Sequence, residues 1–204
     1  MTDHEHDPDH DHDHEHDHEH DREDDEQDLA EAGEYAARRH VALSVVRQYG
    51  DPVLRMRAGR VESFDEELAG LAERMVTLMH DADGIGLAAN QIGILRRIFV
   101  FNDDGEDRVI VNPELTKSGD ELETSEEGCL SLGSVRMPVE RALEITIEGR
   151  DVAGEPLQLE LEGLSARVAQ HELDHLDGVL LIDRTDAESR RAALSQLRPR
   201  LRLS

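Results

Sequence analysis

Strand-like and helix-like stretches follow one another along this chain in an order that few fold classes accommodate. Four segments have the composition of β-strands. The runs RRIFVF (96–101) and RVIVN (108–112) flank an Asp-Gly loop, whereas 143–149 and 157–163 alternate apolar and polar residues around a Gly-Glu-Pro turn. These pairs predict two antiparallel hairpins. Apolar residues recur with helical spacing before the first pair and again after the second. Helices at the two ends of an antiparallel region indicate an α+β fold.

The helix after the second hairpin is the predicted centre of this fold. It runs from about Ser165, a suitable N-cap, to Leu176, and Asp177-Gly178 is its predicted end. We expect antiparallel β-sheets around this central helix. An N-terminal helix should follow Ser63, and a C-terminal helix over 186–198 should end before Pro199.

The two ends of the chain differ in charge from its middle. Residues 1–28 hold fifteen acidic residues against one arginine, in a nearly alternating tract of acids and histidines. Such a tract buries too little to offset the entropy of ordering, so a disordered acidic His-rich tail is predicted. Residues 29–185 are then the catalytic domain. Residues 186–204 form a basic C-terminal helix or tail, because residues 184–204 contain six arginines against two acids.

Composition argues against several classes of protein. The only cysteine is Cys129, so no disulfide can form within the chain and a cytoplasmic location is expected. No apolar run reaches the roughly 18 residues of a membrane span, so we expect no membrane insertion. The acidic body disfavours binding to DNA. Five aromatic residues are too few for a platform on which single-stranded nucleic acid would stack.

The central helix carries the sequence HELDH at 171–175. Its two histidines stand four residues apart, so both imidazoles project from one helix face and can hold one metal ion. Glu172 is close enough to act on a water molecule without being a ligand. Leu164 and Val168 share the same face and would form an apolar wall beside the ion. The alternative is a solvated helix on which the histidines bind nothing and Glu172 is a surface charge.

Two further segments could complete such a site. Cys129 lies in EEGCLSL and is the candidate third ligand, although a free cysteine is more often a small buried apolar residue. The segment GIGLAANQ at 84–91 has glycines that let the backbone approach a ligand, followed by the side-chain amide of Gln91. A simple connection from helix to strand would explain it equally well.

Together these three motifs resemble the peptide deformylase family, in the order GIGLAANQ (84–91), EGCLS (127–131) and QHELDH (170–175). The resemblance extends over about residues 41–185, including YGDPVLR (49–55). It implies that Cys129, His171 and His175 are metal ligands and that Glu172 is the general acid and base. It further implies that the Gln91 side chain and the Leu130 N–H donate hydrogen bonds to the oxyanion, the negatively charged oxygen that develops on the substrate carbonyl during hydrolysis.

The resemblance also implies a substrate and a metal. The substrate would be an N-formylmethionyl nascent peptide, with Gly86 and Arg136 beside its backbone and with Ile85 and Leu164 in the methionine pocket. The cofactor would be one divalent ion, Fe(II) in preference to Zn(II), since one thiolate and two imidazoles suit both. Gly133 departs from the family pattern, in which proline is common at this position.

Two other functions remain open at the level of sequence. One is a generic HExxH zinc metallopeptidase in which Cys129 takes no part. The other is a non-catalytic metal-buffering relative that works through the eight histidines at positions 4–20. The basic C-terminus is a separate candidate for contact with the ribosome, which would bring the enzyme to emerging chains.

Overall fold

The computed structural model describes the backbone of residues 17–197 and the side chains of residues 30–197. Residues 1–16 of the predicted tail and 198–204 of the predicted C-terminal segment lie outside this part. The chain divides into two compact units between Ala37 and Arg38. Helix α1 (Asp17–Val45) belongs to the first unit up to Ala37 and enters the second with its last turns.

Helix α1 was not predicted from the sequence, which placed the N-terminal helix after Ser63. Folding was predicted to start near Leu29, but the backbone is helical from Asp17 onwards. The physical reason is that no glycine or proline interrupts the chain between Pro8 and Gly33, and several of these residues have good helix propensity.

A five-stranded antiparallel sheet forms the body of the second unit. Its strand order is β1-β2-β3-β6-β7, and its strands are β1 (Gly86–Ala88), β2 (Ile98–Asp103), β3 (Glu106–Ser118), β6 (Glu144–Arg150) and β7 (Pro156–Glu162). Both predicted hairpins are present as β2-β3 and β6-β7. The predicted α+β class with antiparallel sheets is confirmed.

A second sheet, absent from the sequence-based prediction, contains β4 (Leu122–Gly128) and β5 (Arg136–Ala142). Neither strand alternates cleanly, and Pro138 lies within β5. A proline is tolerated here because each strand of a two-stranded sheet has an unpaired edge. Gly128 pairs with Arg136, so residues 129–135 form the loop that closes this hairpin. That loop contains Cys129.

Helix α2 (Glu66–Asp81) and helix α3 (Gly163–Leu176) pack on the five-stranded sheet. In α3, apolar residues including Val168 and Leu176 join a buried cluster with Phe99 and Phe101 of β2. The predicted N-cap of α3 was wrong: the helix begins at Gly163, where φ is +54°. The Ser165 hydroxyl instead donates to Asp103 at 2.6 Å, because Ser165 is the third residue of the helix and not the residue before it.

Two short helices, α4 (Leu181–Arg184) and α5 (Ala187–Leu197), follow α3. Ala193 of α5 is buried, and Leu194 and Leu197 pack against the same apolar cluster. The predicted C-terminal helix is confirmed for the described residues. Among those residues, none of the helices is both long and apolar enough to cross a membrane.

Asp183 of α4 forms an ion pair with Arg55, and this pair should make the stability of the protein depend on pH. Burial alone would raise the pKa of Asp183, but hydrogen bonds from the Arg55 guanidinium and the Leu180 N–H outweigh burial and lower the pKa below its ordinary value. The ionised form is thus favoured in the folded state. Its contribution to stability is present above the unfolded pKa of about 3.9 and is lost as the pH falls below it.

We expect Asp183→Asn to lower the free energy of unfolding by about 1 kcal/mol at neutral pH, in the range of partly exposed ion pairs. The difference from the parent should shrink below about pH 4, where the parent carboxylate is protonated as well. Urea unfolding curves at several pH values would measure this. A difference that stays constant down to about pH 2.5 would rule out the ionised carboxylate as its source.

Candidate metal centre and active-site cavity

Three side chains from two distant parts of the chain meet at one point. Donor atoms of Cys129, His171 and His175 all lie within 4.8 Å of one another. His175 Nε2 is 3.2 Å from Cys129 Sγ and 3.2 Å from His171 Nε2. The structure therefore brings together the three residues that the motifs singled out as ligands.

The local backbone explains this convergence. The two histidines occupy successive turns of α3, so their rings project from one face at an interplanar angle of 69°. Cys129 directly follows β4 and precedes a 3₁₀ turn (Leu130–Leu132), which directs its side chain towards the helix. Helix periodicity alone places the histidines together, whereas the β4-β5 hairpin is needed to bring the thiol to them.

The charges around the three donors favour a thiolate. Burial raises the pKa of the Cys129 thiol, but the two imidazoles outweigh burial and lower it well below its ordinary value. The thiolate is the form of cysteine that binds metal ions. Burial lowers the pKa of His171, and the neighbouring thiolate and Glu127 carboxylate more than compensate, so that it lies well above its ordinary value.

Glu127 is a functional residue that sequence reasoning missed. Its carboxylate is buried and lies 3.0 Å from His171 Nδ1, the ring nitrogen that faces away from the other donors. Burial raises the pKa of Glu127, but hydrogen bonds from His171 and Arg141 outweigh this and lower it to about 2. An ionised carboxylate behind a histidine orients the ring and strengthens its remaining nitrogen as a ligand. Its position two residues before Cys129 was the available signal.

A buried ion-pair network holds Glu127 in place. The Arg141 guanidinium donates to both Glu127 oxygens, at 3.0 and 3.1 Å, and to Asp174 at 2.6 Å. Arg167 donates to Glu127 at 2.9 Å and to the Val139 carbonyl at 2.9 Å. Two guanidinium groups thus offset the cost of burying this carboxylate.

Glu172 lies beside the three donors with a free acceptor atom. It is 3% exposed, and its Oε2 has no hydrogen-bond partner among the described residues. Burial raises the pKa of Glu172 to about 7, while His171 and His175 act in the opposite direction. A carboxyl group with a pKa close to neutrality can accept a proton and return it in the same cycle.

The close packing of Glu172 depends on Gly86 of β1. A Cβ atom at position 86 would lie 2.8 Å from Val168 Cγ1 and still closer to the Glu172 carboxylate. Real Cβ atoms do not approach other atoms this closely, so one group would have to move. The absence of a side chain at Gly86 therefore leaves room for the Glu172 carboxylate and for a ligand bound along β1.

We expect Gly86→Ala to lower turnover by about 100-fold, since a shift of about 1 Å in a reacting group can cost that much. The metal content should not change, because Gly86 touches none of the three donors. Kinetics and metal analysis on the same preparation would test this. Gly33→Ala is a suitable control, as a Cβ there meets nothing within 4 Å. Full activity in Gly86→Ala would show that Glu172 tolerates displacement.

Gln91 and Leu130 lie on the same side of the donors. Gln91 Oε1 accepts from the Ala88 N–H at 2.8 Å, which turns its Nε2 towards Cys129 Sγ, 3.7 Å away, and Ser131 Oγ, 3.3 Å away. Of the described residues, none accepts a hydrogen bond from the Leu130 N–H. Two N–H donors therefore stand next to the three metal-ligating candidates.

These groups line a cavity of about 450 Å³. Ile85 and Leu164, both more than half exposed, stand on its wall together with the buried Val168. Arg136 lines it as well and donates to the Glu126 carbonyl at 3.2 Å. Every site residue named from the sequence lines this cavity except His175. Arg167 and Arg39 also line the cavity, and the motifs did not indicate them.

The donor set fits a divalent metal ion. One thiolate and two imidazoles converge, and Cys129 and His171 line the cavity, so a metal ion held there would be open to a ligand from the cavity. His171 is oriented from behind by Glu127, as expected for a ligating histidine. The buried and unpartnered Glu172 oxygen faces the same space, where a water molecule would be its natural partner.

Comparison with known proteins agrees with this geometry. The sequence model of the polypeptide deformylase family matches residues 43–191, most of the chain. The chain belongs to the peptide deformylase family. It is therefore an enzyme, a metal-dependent hydrolase, and the non-catalytic alternative loses its support. The curated peptide deformylase 1 of Corynebacterium efficiens is 46% identical over 157 residues, which cover 75% of this chain and 93% of that protein.

Solved structures of the family share the fold. Peptide deformylase from Thermotoga maritima superposes with a TM-score of 0.68 at 46% identity, covering 69% of this chain and 96% of that one. Peptide deformylase 1B of Arabidopsis thaliana, in complex with an inhibitor, has a TM-score of 0.72 at 38% identity and covers 74% and 87%. Residues 1–42 precede the match to the family model, so most of α1 is an addition to the shared fold.

Proposed function

We propose that this chain removes the formyl group from N-terminal formylmethionine of nascent polypeptides. The observation that carries the proposal is the convergence of one thiolate and two imidazoles beside a buried, unpartnered carboxylate at the wall of a peptide-sized cavity. Family membership supplies the substrate class, since its members are named for this reaction. Release of formate and a free α-amine would be the net result.

Cys129, His171 and His175 would hold the metal ion. The chemistry that a divalent ion held there would supply is a lower pKa for a water molecule, about 7 in place of about 15.7, and hence a nucleophile at neutral pH. Glu172 accepts the proton that this water gives up and delivers it to the leaving amine. Burial, which raises the pKa of Glu172, favours a carboxyl group that can take up a proton as well as release it.

The remaining residues bind and orient the peptide. The Gln91 side chain and the Leu130 N–H donate to the formyl oxygen as negative charge develops on it. Each such donor lowers the activation free energy by about 3 kcal/mol. Gly86 offers its backbone to the substrate chain along β1, and Arg136 lies beside that chain. The apolar walls at Ile85 and Leu164 receive the methionine side chain.

The decisive experiment is formate release from a formyl-Met peptide by protein purified without oxygen. The proposed function predicts rapid release and no cleavage of internal peptide bonds. A generic zinc peptidase would instead cleave internal bonds and would retain its metal in Cys129→Ala. A metal-buffering protein would bind ions and release no formate.

We further propose Fe(II) as the metal, with Zn(II) as a possible substitute. The soft Cys129 thiolate favours a transition metal over a hard cation. Cys129→Asp should therefore bind metal less selectively, with a preference for Fe(II) or Zn(II) over Mn(II) reduced by about tenfold or more. Competition between these ions, followed by metal analysis, measures the change. Unchanged selectivity would mean that the thiolate is not a ligand.

We also propose that the enzyme works in the cytoplasm and contacts the ribosome through its basic C-terminus. Six arginines against two acids at 184–204 support this reading. Arg190 is better left intact, since it pairs with Asp183. Glutamine at positions 191, 198, 200 and 202 should lower co-sedimentation with ribosomes at low salt, with hydrolysis of a short peptide unchanged. Unaltered co-sedimentation would assign these arginines to other contacts.

A further inference from the structure

The segment that directly follows α1 contacts both loops of the proposed oxyanion site. We name residues 46–49 the strap. Its backbone N–H at Arg47 donates to the Gln91 carbonyl at 2.7 Å, and its N–H at Tyr49 donates to the Ser131 carbonyl at 2.8 Å. Gln91 and Ser131 belong to different loops, so the strap joins them at fixed spacing.

A side chain adds a third link. Gln48 Nε2 donates to the Leu130 carbonyl at 3.2 Å and to the Val46 carbonyl of the strap itself at 3.1 Å. The strap is thereby bonded to the backbone of Gln91 and of Leu130, the two residues whose N–H groups are proposed to bind the oxyanion. The two other links use backbone N–H groups, which any residue except proline provides. At position 48, in contrast, the link depends on the side chain, because the Gln48 amide is the donor.

Holding the Leu130 carbonyl also constrains the neighbouring N–H. Leu130 lies in a short 3₁₀ turn next to Gly133, whose φ of +62° and ψ of −126° are accessible to glycine alone. A loop of this kind is held by few internal hydrogen bonds, so external ones decide its orientation. An oxyanion donor must be held in place before the reaction, because reorganisation during it would raise the barrier.

We propose that Gln48 is a positioning residue that orients the Leu130 N–H towards the oxyanion and fixes its distance from Gln91. The inference rests on the proposed function. Gln48 does not line the active-site cavity and touches no proposed metal ligand. It acts only through the Leu130 backbone.

The surroundings of Gln48 separate this role from a general effect on folding. Gln48 is exposed and lines a second cavity of about 510 Å³ on the outer side of the 131–135 loop. The hydrogen bond from Gln48 to the Leu130 carbonyl is exposed to solvent, so a water molecule can satisfy this carbonyl if the amide is lost, which keeps the cost in stability small. A mobile water molecule cannot hold the loop in one orientation, so the loss should appear in turnover.

The test compares three variants with the parent enzyme, all with full metal content. Gln48→Met keeps the length of the side chain and removes the donor, whereas Gln48→Lys restores an N–H donor. Gln196→Ala is the matched control, since Gln196 lines the same second cavity from α5. We expect Gln48→Met to lower kcat about tenfold with KM changed less than twofold, and to leave the melting temperature within about 2 °C.

Two further readouts complete the experiment. Hydrogen exchange of residues 128–135 should be faster in Gln48→Met, and both kcat and exchange should return towards parent values in Gln48→Lys. Gln196→Ala should behave as the parent in every measurement. Parent-like kcat in Gln48→Met, or a loss not recovered by lysine, overturns the role of Gln48. Absence of formate release by the parent itself would overturn the proposed function instead, so the two failures are distinguishable.

Discussion

Glu172→Gln is expected to lose at least about a thousandfold in turnover while the metal content stays that of the parent. The amide has the size of the carboxylate but cannot accept a proton, and proton transfer by a positioned side chain contributes about 100-fold to 10,000-fold to a rate. Glu172 is not among the three donors, so its replacement removes no ligand. Formate release and metal analysis on one preparation measure both quantities.

The matched control for this variant is Glu160→Gln, an exposed carboxylate on β7. It should behave as the parent in rate and metal content. A Glu172→Gln protein without metal would make Glu172 a ligand. One that keeps more than about a tenth of parental turnover would place the acid and base elsewhere in the cavity.

Arg141→Met should destabilise the protein by about 3–5 kcal/mol, the cost of removing one partner from a buried ion pair. Arg141 is 5% exposed in its side chain and forms three hydrogen bonds to two buried carboxylates. Arg167 and Arg184 still contact Glu127 and Asp174 in the variant, so some compensation remains. Equilibrium unfolding in urea, with metal present at fixed concentration, measures the loss.

The same change should weaken the metal site. Loss of Arg141 raises the pKa of Glu127, which then holds the His171 ring less firmly. Losing a partner of this kind typically costs about 10-fold to 100-fold in metal affinity. Arg60→Met is the control, because the Arg60–Glu114 pair is largely exposed and should contribute less than about 1 kcal/mol. A loss below about 1 kcal/mol in Arg141→Met would show that the network adds little to stability.

The parts of the site that the sequence predicted are those in which neighbouring residues determine the geometry. A spacing of four places His171 and His175 on one helix face whatever the rest of the fold does. Apolar runs around an Asp-Gly loop likewise identify β2-β3, and alternation identifies β6-β7, since each hairpin is closed by a local turn. The family motifs then connected these pieces to Cys129, which no local pattern could do.

The sequence-based prediction missed features that depend on contacts between distant segments. In the sequence Glu127 is one of several neighbouring acidic residues. Only the pairing of β4 with β5 brings it into contact with Arg141 and His171. Gln48 is unremarkable in the sequence, and its link to Leu130 spans 82 positions. Ser165 has the character of an N-cap but donates to Asp103 across the fold.

The sequence by itself determined the α+β class, the helix that presents HELDH and the identity of the metal-ligating candidates. The class and the helix follow from periodicity, which acts over a few positions, and the ligand candidates follow from residue chemistry together with the match of three short motifs to one family. Only the tertiary structure decided that the Cys129 thiol lies 3.2 Å from His175, that Glu172 is buried without a partner, and that the strap joins Gln91 to Leu130. Burial and long-range hydrogen bonds depend on how separate elements pack, and local sequence patterns carry no measure of that packing.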